Sequence, residues 1–572
     1  MKKIVSALLV IVMLLGMNTA MANRLPLCSD WAKESIEKAN EVGIYNDDGD
    51  LTKPISREDF CEVVYNYIKI SGKELIVDST EPFSDTDNEK VAALYNLGII
   101  NGKSADKFAP KDTLTREEAA TILSRTIDKT WDGKNIEEKH VTFYDYWDIS
   151  DWAEESIVEM YSFGIINGTG VKENGNVVIS PKNKLTAEQA ITMVVRLYEK
   201  EPKTFADKMN ELMPEDKNYM FSPFSIKMAL MMAANGAEGE TQKEILTALN
   251  VQDINEYNEN AKKMLETLSE FDILKLEVAN SIWINSDNTL QRFSKAFSDK
   301  VKEIFGATSD IVNSENALSK INGWVNEKTH GKIPTIITKD HVKDFDAMLI
   351  NAVYFKARWL NTFYVGATAP DIFTQRDGKT AEIDFMNQTE YMAYSAKDGV
   401  TIVKLPYRQY RENYDEDYNV IGTERVDGVG INMYIMMSDD TFNAEKTLDQ
   451  AELKNTRIKL SIPKFKIEYS ASLSDMLKEI GIVKAYDEEL AEFKPMVTFE
   501  DMWIEDVLHK TYIEIDEEGT EAAAVTAVGM GGSGSAEPPE PIELKFNKPF
   551  TFVIRDDVSG EILFMGEYAF AE

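Results

Sequence analysis

The groups from which catalysis would have to be built are few: His140, His330, His341, His509, Cys28 and Cys61. The histidines are not spaced as His-Glu-x-x-His, the helical pattern that sets two imidazoles and a general base around one zinc ion. Two distant cysteines do not supply a four-ligand zinc site by themselves. Ser533 lies in Gly-Gly-Ser-Gly-Ser, without the strand-to-helix turn that exposes a G-x-S-x-G nucleophile. No phosphate-cradling G-x-x-x-x-G-K-[ST] run occurs, and no G-x-G-x-x-G follows a strand pattern. Neither enzymatic activity nor a metal or other cofactor is expected. What stands out instead is the 25-residue segment Glu517–Pro541, EEGTEAAAVTAVGMGGSGSAEPPEP. Gly/Ser tracts behave as flexible coil, but the first half is Ala, Thr and Val, residues that can still form a strand. Gly519 precedes that half, and glycine lets a backbone turn where other residues do not. The segment reads as a loop in one state and a strand in another.

A second chemistry is carried by Arg57 and Arg116, each directly after a hydroxyl residue that caps a helix. A helix N-terminus beside a guanidinium suits a carboxylate.

The elements that position these residues follow from periodicity. In His509–Asp516, His509, Thr511, Ile513 and Ile515 alternate with Lys510, Tyr512, Glu514 and Asp516, which predicts a half-buried strand ending at the segment. Ile542–Ile554 predicts strand on its far side. Residues 28–200 contain an internal repeat with landmarks Val42-Gly43-Ile44, Leu97-Gly98-Ile99 and Phe163-Gly164-Ile165. Each glycine follows an apolar-periodic helix and is a C-terminal cap. The second helix of each copy starts after Ser56, Thr115 or Thr186, with Asp59, Glu118 or Gln189 three residues on, which approximates a capping box. Asn46–Asp50 lacks the ligand spacing of a calcium loop and reads as a turn.

Glu201-Pro202-Lys203 is the joint between regions. Beyond it, Ser222 caps a helix whose body, IKMALMMAANGA, is apolar nearly all round and is expected to be deeply buried. Ser319–Thr329 predicts an amphipathic helix, and Ala347–Lys356, Val400–Pro406, Gly430–Met437 and Ile458–Tyr469 predict strands.

The formal net charge of the 572-residue chain is −36, from 98 acids against 62 bases, which disfavours nucleic acid as a partner. Residues 1–22 read as a secretory signal peptide: Lys2 and Lys3, the apolar run Ile4–Leu15, then Ala20-Met21-Ala22. That run is short for a membrane span and no later run reaches it, so no transmembrane segment is expected. Outside the cytoplasm a Cys28–Cys61 bridge is chemically allowed, and the sequence leaves it open. Lipid anchoring of Cys28 is not expected, because Leu27 before it is bulky.

The triple repeat resembles the surface-layer homology (SLH) module of bacterial envelope proteins. Ser56-Arg57-Glu58-Asp59 and Thr115-Arg116-Glu117-Glu118 look like that family's Thr-Arg-Ala-Glu helix start, whereas the third copy carries Ala187 in place of the arginine. The resemblance implies modules at 23–75, 80–135 and 140–200. It further implies an all-α triple-repeat domain that grips pyruvylated secondary cell-wall polysaccharide, with Arg57 and Arg116 binding the anionic sugar.

Residues 203–572 resemble the serpins. The marks are Asn218–Ile226 (NYMFSPFSI), Asn351–Trp359 (NAVYFKARW), Ile458–Ile482, His509-Lys510, Glu517–Thr526 (EEGTEAAAVT), Phe546–Ile554 (FNKPFTFVI) and the closing ILFMG. The resemblance implies an α+β fold with a large central β-sheet, further sheets, eight or nine helices and an exposed reactive loop at 517–541. It implies a monomeric serine protease inhibitor that is attacked as a substrate, forms a covalent acyl-enzyme and inserts its cut loop into the central sheet. The hinge would comprise Glu517, Gly519, Thr520, Glu521, Ala522, Ala523 and Ala524. Ser222, Ser225, Asn351 and His509 would form the polar cluster where the sheet opens, and Trp359 would stand where the loop first goes in. A histidine of ordinary pKa there would make opening pH-sensitive. Counting forward from the hinge gives a scissile bond at Ser533, and counting back from Lys545-Phe546-Asn547-Lys548 gives Pro538, a difference of five. The reactive-bond candidates are Ser533, Gly534, Ser535 and Ala536; being small and uncharged, they suit elastase- or subtilisin-like proteases. The alternative is a non-inhibitory serpin acting as a surface binding or scaffold protein.

Overall fold

The computed structural model describes residues 26–571 except 47–48, 72–81, 132–140, 173–174, 270–273, 343–344, 398, 415–419, 426–427, 429, 440–441, 500–501 and 521–538. The proposed leader at 1–22 therefore lies outside the described residues. The chain divides into two compact units, 1–202 and 203–572.

The N-terminal unit is built on three long helices, α1 (Arg57–Ile70), α2 (Arg116–Thr130) and α3 (Ala187–Lys200). Each is preceded by a shorter one: Lys33–Glu41, Glu89–Asn96 and Glu154–Ser162. The caps are as the sequence predicts. The side chains of Ser56, Thr115 and Thr186 accept from the backbone N–H of Asp59, Glu118 and Gln189, and the last two are complete capping boxes. Gly43, Gly98 and Gly164 end the short helices at φ of 83°, 75° and 72°, where other residues are strained. The first free N–H groups of each long helix bond to a loop of the next repeat. Arg57 and Glu58 donate to Asp112 and Pro110; Arg116 and Glu117 donate to Asn183 and Pro181; Ala187 and Glu188 donate back to Lys53 and Leu51. The repeats thus close a ring around a core that includes Phe60, Leu94, Leu123, Ile157 and Ile191. One departure from an all-helical unit is a short antiparallel ribbon, Gly170–Val171 with Val177–Val178. Cys28 and Cys61 are free thiols; Cys61 is in the core, and burial pushes its thiol up to about 12.

The C-terminal unit is α+β, with eight α-helices among the described residues. Helix α4 (Pro223–Asn235) is buried at every residue but Lys227, as its apolar circumference requires. A nine-stranded sheet and a six-stranded sheet share the core. Ile458–Tyr469, predicted as one strand, is divided between them: Lys454–Pro463 joins the larger sheet and Phe465–Ser472 the smaller. Alternation fixes which face a side chain takes, not which neighbour the strand has, so the switch at Lys464 leaves no trace in the pattern.

The six-stranded sheet positions the site. Its strands are β1 (Lys275–Asn285), β2 (Thr308–Val312), β3 (Ala347–Arg358), β4 (Phe465–Ser472), β5 (Asp506–Ile515) and β6 (Gly519–Thr520), in the order β4-β5-β6-β3-β1-β2. Strands β5 and β3 are parallel and directly bonded from Asp506 opposite Met348 to Tyr512 opposite Tyr354. Above that point they part, and β6 stands between them, antiparallel to both.

Candidate functional site

The turn that feeds β6 into the sheet is fixed by Asp516. Its carboxylate accepts from the N–H groups of Glu518 and Gly519 at 2.9 and 3.1 Å, while its own N–H donates to the Gly519 carbonyl at 3.0 Å. Gly519 is required by closeness: a Cβ there would lie 2.1 Å from the Ala357 carbonyl oxygen. Thr520 follows, fully buried, its hydroxyl 2.8 Å from that of Tyr407.

Trp359 clamps this turn. Its indole N–H donates to the Asp516 carbonyl and its backbone N–H to that of Glu518, at 3.0 and 2.9 Å. Its ring stacks on Tyr407 with centroids 4.6 Å apart. Glu517 is buried and accepts from Thr368 Oγ1 at 2.7 Å and from Lys464 Nζ at 2.8 Å. Burial alone would push this carboxyl up, but the bonds from Lys464 and Thr368 outweigh it and hold it below the usual range.

Below the inserted pair, the parallel seam carries a buried polar row. Asn280 on β1 is opposite Asn351 on β3, which is opposite His509 on β5. The backbone N–H of Ser222 can only donate, so His509 Nε2 accepts it, at 3.3 Å. Nδ1 then carries the proton to Asn351 Oδ1, at 2.5 Å. The Asn351 amide donates in turn to Ser225, through both its carbonyl and its hydroxyl, and to Asn280. Ser222 Oγ accepts from Ser225 N at 3.1 Å, and Thr511 Oγ1 donates to the Met220 carbonyl at 2.6 Å. The cluster therefore spans the two strands that must part for anything to enter between them.

One expectation is corrected here. Burial pushes His509 down to about 3, so the imidazole is neutral through the range in which an ordinary histidine titrates. It does not supply a pH switch near neutrality.

Ser222, Ser225, Asn351 and His509 come together, and Trp359 stands at the top of the seam with Glu517, Gly519 and Thr520. Glu521, Ala522, Ala523, Ala524, Ser533, Gly534, Ser535 and Ala536 lie outside the described residues. The sequence reading missed Asn280, Thr511, Tyr407, Thr368 and Lys464. An asparagine in the middle of the strand-like run LEVANSIWIN was the available signal for Asn280.

In the N-terminal unit the two arginines take matching places. Arg57 Nε and Nη2 donate to the carbonyls of Phe108 and Asn101, each at 3.0 Å. Arg116 Nε and Nη2 donate to those of Ile179 and Asn167, at 2.9 and 2.7 Å. Among the described residues there is no cluster suited to hold a metal ion, and no helix is long and apolar enough to cross a membrane.

The C-terminal unit is thus an α+β fold whose six-stranded sheet holds Gly519–Thr520 between the parallel strands β5 and β3. The family model for serpin (serine protease inhibitor) matches residues 202–569, and the chain belongs to that family. The S-layer homology domain model matches residues 82–120. An uncharacterized serpin-like protein of Thermococcus kodakarensis is 30% identical over 375 residues, which cover 63% of this chain and 82% of that one. Serpin-Z2A of Triticum aestivum is 28% identical over 360 residues, 61% of this chain and 89% of its own. Among solved structures, the thermophilic serpin tengpin in its native state aligns with a TM-score of 0.55 at 27% identity, covering 64% of this chain and 92% of that chain.

Proposed function

We propose that this chain is an exported inhibitor of serine proteases that traps its target by loop insertion, tethered to a bacterial cell wall by its N-terminal unit. The observation that carries the proposal is the seat of Gly519–Thr520, already paired to β5 on one side and β3 on the other. The target's serine oxygen bonds to the carbonyl carbon of a loop residue among Ser533–Ala536, the peptide C–N bond breaks, and the amine leaves with the proton. The acylated half of the loop is then free to continue the strand that Gly519 and Thr520 begin. Each step along the loop moves one step back along both neighbours from Ile515 and Ala357, so Thr526 arrives level with His509 and Asn351. A hydroxyl is thus delivered where the bond between those two side chains is broken. The residues facing the same side as Thr520, namely Ala522, Ala524, Thr526 and Val528, carry no charge and bury without the cost of an unpaired ion. One parallel pairing is exchanged for two antiparallel ones, which are somewhat more stable per residue.

The candidate residues are small and none is Arg or Lys, which favours elastase- or subtilisin-like targets. The three capped helix pairs, closed in a ring, are read as three SLH modules that hold the inhibitor on secondary cell-wall polysaccharide. The test is incubation of the mature chain with elastase and with subtilisin. A one-to-one adduct that survives denaturant is expected, and mass spectrometry of the released peptide fixes the scissile bond. Proteases that cleave the loop and remain fully active would refute the proposal.

A further inference from the structure

The first helix of the C-terminal unit, Phe205–Asn210, meets a later one, Ala444–Asp449, start to start. Each start is tied to the other by its cap. Thr204 accepts from the N–H of Asp207 at 3.1 Å, so its hydroxyl proton is left to donate elsewhere. It goes to Glu445 Oε2, in the first turn of the second helix, at 2.5 Å and 241 positions away in the chain. Asn443 accepts from the N–H of Lys446 at 2.7 Å, and its amide donates to the Asp207 carboxylate, in the first turn of the first helix.

The exchange of bonds holds two carboxylates at one corner. Asp207 is buried and Glu445 half-buried. Among the described residues neither forms an ion pair. The cations that act on Glu445 are bonded to other acids: Lys227 of α4 to Glu561 at 3.0 Å, and Arg555, in the strand Phe550–Asp556, to Asp449 at 2.7 Å. Asp449 adds a negative charge from Glu445's own helix, while Glu211 and Lys446 act on Asp207 with opposite signs. A helix start favours a carboxylate by its dipole, but two helices of six residues do not make up for the lost water. Burial pushes Glu445 up to about 7, with the Asp207 charge acting in the same direction, and burial raises Asp207 as well.

We propose that Thr204, Asp207, Asn443 and Glu445 form a proton-operated latch on the first helix of the C-terminal unit. With a proton on Glu445 the two helix starts stay docked; loss of that proton leaves two like charges at the corner, and the helix Phe205–Asn210 opens more often. The latch shares no residue with the loop or the seam and works whether or not the loop inserts. Phe205 and Met209 are in the core, so the open form stays a minor one, and pH sets its population. When the helix opens, Glu445 returns to an ordinary carboxyl near 4.5; closed, it holds its proton to about 7. The open fraction therefore rises with pH between those values, by up to about tenfold per pH unit, and levels off above them. Asp207, raised from 3.8, adds a rise of the same sign.

The test is hydrogen–deuterium exchange of the full mature chain between about pH 5 and pH 8, read on peptides covering residues 204–211 and corrected for the intrinsic rate at each pH. The unmodified chain is expected to show the rise up to about pH 7 and a plateau beyond it. Glu445→Gln keeps an acceptor for the Thr204 hydroxyl but cannot ionise, and should remove most of the rise while leaving exchange in α4 unchanged. Lys227→Met takes away a cation that favours the ionised carboxyl, and should move the midpoint to higher pH. The infrared spectrum at about pH 6 should contain the band of a protonated carboxyl that Glu445→Gln lacks. An equal rise in Glu445→Gln and the unmodified chain, no rise in the unmodified chain, or no such infrared difference would each overturn the latch. Should Glu445→Gln fail to fold, Lys227→Met decides: a midpoint that stays in place or moves to lower pH overturns it.

Discussion

The two units treat their backbone hydrogen bonds in opposite ways. In the N-terminal unit the first N–H groups of each long helix are bonded to the next repeat, and the third returns to the first. Another acceptor could reach those N–H groups only by displacing a carbonyl of the neighbouring repeat. In the C-terminal unit β5 and β3 are satisfied by each other over Asp506–Tyr512, but the same groups would be satisfied equally well by a strand placed between them. Such a strand has already started at Gly519–Thr520. Among the described residues the buried side-chain polar atoms without a partner are few, Asn280 Nδ2, Asn285 Nδ2, Gln409 Oε1 and Arg555 Nε, all in the C-terminal unit, so hydrogen-bond satisfaction alone does not make a structure static. What matters is whether an alternative set of partners is within reach of the chain.

The strongest way to break this contrast is to block the alternative set. Thr520 is fully buried against Tyr407, and Thr520→Arg would carry an unpaired cation into that place, a cost of several kcal/mol. The denaturant-stable adduct is expected to disappear while the loop is still cleaved, turning inhibitor into substrate. Adduct formation at the unmodified level would show that the loop does not go in through this seam.

A smaller effect is expected from loosening the seam itself. Asn351→Ala removes the acceptor of the His509 Nδ1 proton and the donor to Ser225 and Asn280, leaving buried groups unpaired. Urea unfolding of the C-terminal unit should show a loss of about 2–4 kcal/mol, the cost of orphaning more than one buried polar group. A change below about 0.5 kcal/mol would mean that the cluster does not hold the strands together.

How much of this was legible in the sequence depends on how local each signal is. The caps at Ser56, Thr115 and Thr186 and the glycines at 43, 98 and 164 are decided within one helical turn, and the structure has them where the sequence puts them. The hinge at Gly519 and the cluster of Ser222, Ser225, Asn351 and His509 came from family resemblance, since the cluster joins residues hundreds of positions apart. Asn280, Tyr407, Thr368 and Lys464 were missed for the same reason: nothing near them in the chain says that they face Asn351, Thr520 or Glu517.

The seam also responds to acid. In the unfolded chain His509 takes up a proton near pH 6.5; in the folded chain burial delays that uptake to about pH 3. Its contribution to stability is complete above pH 6.5 and is lost as pH falls through the window between the two values, by about 1.4 kcal/mol per pH unit. Glu517, held low by Lys464, adds a loss of the same sign in more acid solution. Subtracting the stability profile of His509→Gln from that of the unmodified chain isolates the histidine. A flat difference between about pH 6 and pH 4 would show that the imidazole is not buried without charge.

The least disruptive test is on the ring. Thr186→Ala removes the hydroxyl that accepts from Gln189 N, and should cost about 1 kcal/mol, typical of a lost N-cap. Ser56→Ala should cost less. The Asp59 carboxylate is bonded to the Ser56 hydroxyl and does not reach back to the cap's backbone N–H, so that box is incomplete to begin with. If ring closure couples the repeats, the Thr186→Ala loss will appear as one cooperative transition of the whole N-terminal unit, shifted to lower temperature. A separate early transition confined to α3 would show instead that the repeats melt one at a time and that the bonds from Ala187 and Glu188 back to Lys53 and Leu51 do not bind them into a single body.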